Sequence, residues 1–268
     1  MPHKLYNTFC GRCLLKVLTL PAISKMAGVF MDSALSKPYI KYFIKSSKID
    51  MTDFKEENWS CFNEFFTRKL KDGKRKPVMQ SNIMISPCDG YLSAYRITKN
   101  SEFVIKDSVY TIKELTQNAE LETEYENGLC LIFRLTPADY HRYIYPDSGE
   151  KGENIFIRGI LHTVRPVAFK KYPVFKTNSR EYTILKTNNF GDIVFMEVGA
   201  MLVGKICNYH QEHRFERGDE KGKFEFGGST IIMLLKKDIL KPDDEIEEIS
   251  DSGKEIKIRL GERIGIRI

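Results

Sequence analysis

The segment FGGST at positions 226–230 places a serine directly after two glycines and directly before the apolar run 231–235. Glycine adopts backbone angles that other residues avoid, and it lets a nucleophile approach its carbonyl closely. The hydroxyl of Ser229 can therefore attack the carbonyl of Gly228 and break the bond between them. The same residues also form an ordinary turn into a strand, so other parts of the chain must decide between the two interpretations.

Three further segments carry polar side chains close to predicted strands. Asp89 lies in SPCDG (86–90), His141 in DYHRY (139–143) and His162 in LHTVRP (161–166). A base-activated serine needs an imidazole that takes its proton and a carboxylate that orients the imidazole. Each of these segments also suits a purely structural turn, so the hypothesis depends on the fold bringing them together.

Other kinds of site are disfavoured by spacing. His210 and His213 lie outside any HExxH pattern, and Cys10 and Cys13 form a single C-x-x-C without a second pair of ligands. We therefore predict no metal site. The six cysteines are scattered through a chain that lacks a signal-peptide pattern, which indicates a reducing compartment rather than a disulfide framework.

The first 76 residues mix apolar and basic side chains. Pro21 and Pro38 mark helix starts within the stretch 5–44, which predicts short amphipathic helices. Lys16 and Lys25 interrupt the best apolar run, so no run reaches the ~18 residues of a spanning helix. These helices either lie on an anionic membrane surface or pack as a helical subdomain.

From residue 77 the pattern changes to short β-type runs separated by Gly, Asn and Asp. We predict an α+β fold, with a helical region over 1–76 and a β-rich catalytic domain of mixed or antiparallel sheets over 77–268. The composition is globular, and the net charge of +6 is concentrated in the first 76 residues. Particular expectations are strands over 129–135, 155–164 and 230–235, a helix over 112–116, and a solvated hairpin or loop over 243–251.

Five segments together resemble the phosphatidylserine decarboxylase family, in its order and approximate spacing. They are FNEFFTRKL (62–70), SPCDG (86–90), DYHR (139–142), VGAMLVGKI (198–206) and KGKFEFGGST (221–230). The resemblance covers most of the chain, from about residue 5 to residue 235. Five ordered motifs are far more specific than any one of them.

The resemblance implies a self-processing proenzyme. Ser229 is then the nucleophile, and cleavage after Gly228 yields chains 1–228 and 229–268 that stay together, with residue 229 converted into a pyruvoyl cofactor. In the family, this group forms a Schiff base with phosphatidylserine, carbon dioxide leaves, and phosphatidylethanolamine is released. A homodimer at the cytoplasmic face of the cell membrane is also implied, with an anionic membrane as partner and no nucleic acid.

One position departs from the family pattern. Asp89 matches the family's charge-relay carboxylate and His141 its Tyr-His-Arg histidine, but Ile144 stands where the family commonly has the base for self-cleavage. Either His141 does both jobs, or His162 supplies the base. Two other outcomes stay open, namely a decarboxylase for another amine-bearing acid and an unprocessed, lipid-binding pseudoenzyme.

Overall fold

The computed structural model describes residues 8–55, 58–105, 108–164, 168, 172–200, 205–226 and 229–268. Short helices precede a core of antiparallel sheets, which confirms the predicted α+β class. The division into regions 1–76 and 77–268 stays a prediction. The helices are α1 (Phe9–Leu18), α2 (Pro21–Met31), α3 (Tyr39–Ser47), α4 (Phe62–Phe66), α5 (Ile112–Thr116), α6 (Glu120–Glu124), α7 (Val174–Thr177) and α8 (Asp244–Asp251), with a 3₁₀ turn over Ala34–Ser36.

Within the described part of the chain, the strands form one large sheet and three small ones. The large sheet has nine strands in the order β12-β7-β9-β10-β14-β5-β2-β16, with β8 also paired to β9, and the small sheets are β11-β13-β6, β1-β17-β15 and β3-β4. The strands are β1 (Ile83–Ile85), β2 (Gly90–Arg96), β3 (Glu102–Ile105), β4 (Ser108–Thr111), β5 (Leu129–Leu135), β6 (Arg142–Ile144), β7 (Gly149–Lys151), β8 (Ile155–Ile157), β9 (Arg180–Thr187), β10 (Gly191–Val198), β11 (Ile206–Asn208), β12 (His213–Phe215), β13 (Glu220–Phe224), β14 (Ser229–Leu235), β15 (Leu240–Pro242), β16 (Ile256–Ile258) and β17 (Arg263–Arg267).

The predicted amphipathic helices are present. Pro21 lies in the first turn of α2, and Pro38 caps the start of α3, because the fixed φ of proline suits a helix start. Few of their apolar side chains are buried, Leu15 and Ile40 among them. Among the described residues no helix has the length and apolar character needed to cross a membrane. The large apolar side chains that these segments leave exposed are Leu14, Leu20, Met26, Val29, Phe30, Leu35, Tyr39 and Tyr42.

The large sheet has a hydrophobic core on each face. Successive side chains of a strand point to opposite faces, so β14 contributes to both cores. Ile232 joins the core that also contains side chains of α1, α5 and α6, which we call the helix-side core. Ile231 and Met233 join the core that contains Tyr143 of β6 and Phe224 of β13, which we call the sheet-side core.

Two sequence expectations are wrong in part. The predicted strand 155–164 ends at Ile157, because the hydrogen bonds of the following segment go to several different partners and form no continuous ladder with one strand. Gly159 N donates to Ser179 Oγ (3.0 Å) and His162 N to Asn178 Oδ1 (3.0 Å), whereas Ile160 N and Leu161 N donate to the backbone carbonyls of Thr177 and Thr19. The acidic stretch 243–251 is not a hairpin or loop but contains helix α8. Its first turn carries three acidic residues, whose negative charges stabilise the helix because they lie at the positive end of its dipole.

A fully buried ion pair links the large sheet to the small sheet above it. Glu197 of β10 and Lys221 of β13 are both 0% exposed, and the ammonium donates to the carboxylate and to Asn208 Oδ1 (2.6 Å). Burial raises the pKa of Glu197 and lowers that of Lys221, and the contact between the two charges opposes both shifts. Removing one partner therefore leaves the other as an uncompensated buried charge.

We expect Lys221→Met to lower the free energy of unfolding by about 3–5 kcal/mol, because the Glu197 carboxylate loses its buried counter-charge. The double variant E197L/K221M should lie within about 2 kcal/mol of the wild type, since both charges are replaced by apolar groups. Urea denaturation measures both. Arg214→Met, which breaks an exposed pair with Glu150, is the control and should cost less than about 1 kcal/mol. Unchanged stability in K221M would contradict the expectation.

Candidate active site

Ser229 is the first residue of β14, in the middle of the large sheet. Its neighbour across β5 is Leu135, and on the other side β10 pairs with β14 through Val198 and Thr230. The side chain is fully buried, and its hydroxyl has no hydrogen-bond partner among the described residues. Gly228, the other half of the predicted cleavage site, lies outside the described residues.

The strand register determines which way the Ser229 hydroxyl points. Ser229, Ile231 and Met233 alternate with Thr230 and Ile232, and side chains two residues apart share a face. Since Ile231 and Met233 belong to the sheet-side core, the Ser229 side chain points to that face as well. Any group that activates the hydroxyl must therefore lie on the sheet side.

His141 lies on that side. It precedes β6 by one residue and lies two residues before Tyr143, so the two side chains share a face, and Tyr143 packs in the sheet-side core. The imidazole is fully buried and stacks on Phe66, with ring centroids 3.9 Å apart. Its Nδ1 lies 2.9 Å from the carbonyl oxygen of Asp139. Because a carbonyl only accepts, Nδ1 carries the hydrogen, and a neutral ring then has its lone pair on Nε2, the form of a general base.

A buried arginine fixes the carbonyl that orients His141. Arg68 Nη2 donates to the carbonyl oxygens of Ala138 (3.0 Å) and Asp139 (3.2 Å), so Arg68 and His141 share one acceptor. The guanidinium lies over the ring of Phe54, 4.2 Å from its centroid. Burial lowers the pKa of Arg68 to about 10, so the side chain stays charged at neutral pH.

The carboxylate of Asp139 holds the segment before His141 in place. It accepts from the backbone N of Thr136 (2.6 Å), from the hydroxyl of Thr136 (2.8 Å) and from the ammonium of Lys257. Burial acts to raise the pKa of Asp139, but Lys257 and Thr136 outweigh it and hold the pKa below its usual value. Arg68 and Asp139 belong to the motifs 62–70 and 139–142, but the residue types alone predict no role for either of them. A useful signal was the arginine that lies two residues after the aromatic run of α4.

Asp89 lies at the same end of the sheet as Ser229. Among the described residues, no hydrogen bond joins its carboxylate to His141. It directly precedes β2, which is separated from β14 by β5, so two strand spacings of about 4.8 Å place it roughly 10 Å from Ser229. Its carboxylate pairs with Arg75 and accepts from Leu260 N (2.9 Å). Gly90 is required next to it, since a Cβ there would lie 2.8 Å from the carbonyl oxygen of Arg134.

His162 occupies the other face of the sheet. Its ring stacks on Tyr172, with centroids 4.2 Å apart, and Tyr172 packs against the helix-side core. The backbone of His162 donates to Asn178 Oδ1 (3.0 Å) and accepts from Asn178 Nδ2 (2.8 Å), which also donates to the carbonyl of Gly199. Burial lowers the pKa of His162 to about 4, so the ring is neutral near pH 7. The two candidate bases thus lie on opposite faces, and His141 shares the face of Ser229.

Comparison with known proteins identifies the family. A family profile described as phosphatidylserine decarboxylase matches residues 62–266. Phosphatidylserine decarboxylase proenzyme 2 of Clostridium acetobutylicum is 46% identical over 262 residues, which cover 97% of this chain and 90% of that protein. The phosphatidylserine decarboxylase proenzymes of Clostridium botulinum (strain Hall) and Ruminiclostridium cellulolyticum are each 43% identical and cover 98% of this chain, and 91% and 90% of their own lengths. These matches confirm the resemblance seen in the five motifs.

The buried His162 makes stability depend on pH. In the unfolded chain its pKa is near 6.5 and in the fold about 4, so between these values only the unfolded state binds the proton. Stability should therefore fall as the pH drops from 6.5 to 4, by roughly 3 kcal/mol from this group. His162→Gln keeps both backbone bonds to Asn178 and should remove this part of the dependence. Urea denaturation at pH 7 and pH 4.5 compares the two proteins, and an identical pH dependence would contradict the expectation.

Proposed function

The chain belongs to the phosphatidylserine decarboxylase family, and we propose that it cleaves itself between Gly228 and Ser229 and then converts phosphatidylserine into phosphatidylethanolamine. One observation carries the proposal. The hydroxyl of Ser229 is buried, has no partner among the described residues, and points to the sheet face that also holds His141. A buried hydroxyl without a hydrogen bond costs stability, so its retention at this position suits a nucleophile.

Self-cleavage begins with transfer of a proton from Ser229 Oγ to His141 Nε2. The oxygen attacks the carbonyl of Gly228, and the acyl group moves from the Ser229 nitrogen to Oγ, which gives an ester and a free amine. Loss of the Ser229 Cα proton then expels the carboxylate of Gly228 and leaves a dehydroalanine. Water replaces its nitrogen, which departs as ammonia, and the residue ends as a pyruvoyl group.

The pyruvoyl group supplies the carbonyl that accepts the substrate's amine and the electrons left by departing carbon dioxide. The described residues around position 229 fit such a group, because the strand start is buried and apolar, with Leu135 opposite and His141 on the same face. Once its Nε2 is protonated, His141 can give the product carbon the proton that it needs after carbon dioxide leaves. Burial of both residues keeps bulk water away from the reacting carbon.

We propose that the two remaining candidates, Asp89 and His162, do not act as members of a Ser-His-Asp triad. We assign Asp89 to charge balance: it is the counter-ion of Arg75, and its negative charge also favours the charged form of Arg68. Arg68 in turn holds the carbonyl of Asp139 that orients His141. We assign His162 to packing on the opposite face rather than to proton transfer, since it stacks on Tyr172.

Intact mass spectrometry of the purified protein tests the cleavage. We expect two chains, 1–228 and 229–268, with the smaller one blocked at its N-terminus, and a single intact chain for Ser229→Ala. His141→Asn should slow cleavage about 10²-fold to 10⁴-fold, the usual contribution of a general base. The control His162→Gln should process within about threefold of the wild-type rate. A folded H162Q chain that stays intact would identify His162 as the base instead.

The N-terminal helices support a peripheral membrane location. Their exposed apolar side chains include Met26 and Val29, one turn apart on α2, and Leu35 in the following turn. Lys25 and Lys41 add positive charge on the same segment. Apolar side chains together with lysines are what binds a helix to an anionic leaflet. We propose that these helices rest on the cytoplasmic face of the cell membrane and deliver the lipid headgroup to the site, in a protein that forms a homodimer.

Deletion of the whole helical segment is a poor test, because Leu15 belongs to the helix-side core and Leu161 N donates to the carbonyl of Thr19 (3.0 Å). We expect M26E/V29E instead to reduce co-sedimentation with phosphatidylserine-containing vesicles at least about fivefold, while self-cleavage continues. M79E/V104E adds the same charges at exposed apolar positions outside the helices and should bind as the wild type does. Equal binding by M26E/V29E and the wild type would exclude this surface.

A further inference from the structure

Asn63 joins the segment before the scissile bond to the N-terminal helices. Its side-chain oxygen accepts from the backbone N–H of Phe226 (3.0 Å), two residues before Gly228, and its side-chain nitrogen donates to Asp32 Oδ1 (2.7 Å). The N–H of Phe226 only donates and the carboxylate of Asp32 only accepts, so a single orientation of the amide satisfies both. Asn63 is 6% exposed, so water competes little with either bond.

The helix that carries Asn63 also holds the ring of Phe226 and the imidazole of His141. Phe226 packs edge-on against Phe62 and Phe66, with ring centroids 5.0 Å and 5.4 Å apart, and Phe66 stacks on His141. One short helix, α4, therefore contacts both the residue that takes the proton and the chain that leads to the carbonyl under attack. Their relative position depends on where α4 sits.

The end of α2 and the turn after it hold α4 in place. Asp32, the C-cap of α2, accepts from Asn63, and Ser36 Oγ accepts from the backbone N of Phe62 (2.8 Å) at the start of α4. Ser36 is fully buried. These bonds connect the helices proposed to meet the lipid with the segment proposed to be cut.

We propose that Asn63 is a positioning residue for self-cleavage, with Asp32 as its anchor. This inference rests on the proposed function. Attack of a hydroxyl on a carbonyl needs the reacting atoms within about 3–3.5 Å and aligned, and a misplacement of about 1 Å costs about 10² in rate. By fixing the Phe226 backbone relative to α4, Asn63 fixes the approach of the following residues to Ser229 and His141.

An exchange of the two polar groups tests the inference. Asn63→Asp keeps an acceptor for Phe226 N but sets a carboxylate against Asp32, and we expect self-cleavage to slow at least about tenfold. In D32N/N63D the introduced amide can donate to the introduced carboxylate, so the bond between residues 32 and 63 returns with donor and acceptor reversed, while Phe226 N still donates to residue 63. The rate should recover to within about threefold of the wild type. Cell-free synthesis with a C-terminal tag follows the first-order appearance of the smaller chain.

Two further variants separate positioning from general destabilisation. Ser250→Ala removes a bond of the same type, from the backbone N of Ala94 to a side-chain oxygen (2.9 Å), at the far edge of the sheet, and should cleave at the wild-type rate. Thermal unfolding of each variant in the S229A background, which stays intact, reports folding alone. Asp32→Ala is a milder variant that leaves Asn63 in place, and it should slow cleavage about threefold to tenfold even if N63D does not fold.

The outcomes are distinguishable. If the wild type cleaves itself, and N63D and D32A cleave at the wild-type rate, the role of Asn63 is overturned and the proposed function stays intact. Failure of D32N/N63D to recover, although the double variant is folded in the S229A background, would overturn the role of Asp32 as anchor. A wild-type chain that stays whole would overturn both the proposed function and the inference that rests on it.

Discussion

The register of β14 is the constraint on which the site depends. This strand pairs with β10 and β5 along its length, and the residues from Ile231 to Leu235 are fully buried on both faces. A slip by one residue would exchange the faces, turning Thr230 to the sheet side and Ser229 to the helix side. The apolar residues of β14 cannot make that exchange without giving up the packing of both cores. Hydrophobic side chains that take no part in chemistry thereby determine where a hydroxyl points.

The orientation of the imidazole is decided by backbone rather than by an acidic side chain. His141 donates to the carbonyl of Asp139, and that carbonyl is held by a second donor, Arg68. A carbonyl fixes the tautomer as firmly as a carboxylate does, because it also only accepts. The absence of a second histidine at Ile144 therefore does not by itself remove a base from the site.

The sequence predicted the fold class, the N-terminal helices and the strands 129–135 and 230–235, because these depend on local apolar periodicity and on proline at helix starts. It failed over 155–164, where the hydrogen bonds beyond Ile157 are divided between the Asn178 and Ser179 side chains and the carbonyls of two separate segments, an arrangement that no periodicity records. It also missed α8, whose single fully buried isoleucine is outnumbered by acidic residues. The site was predictable as a set of residue types. The partners of Asp89 and the separation of His141 and His162 onto two faces were not, because they arise from contacts between distant segments.

The position of β14 in the middle of the sheet has a consequence for how the cut form of the protein acquires and keeps its fold. Once the chain is cut as proposed, residues 229–268 still supply β14, β16 and β17, which pair with strands of the larger fragment, but no peptide bond joins the two pieces. Folding of the uncut chain is a unimolecular event, whereas reassembly of the cut chains requires an encounter and depends on their concentration. The cut form therefore retains a structure that it can only have acquired before the cut. Its lifetime is set by its rate of unfolding, since dilution makes each loss permanent.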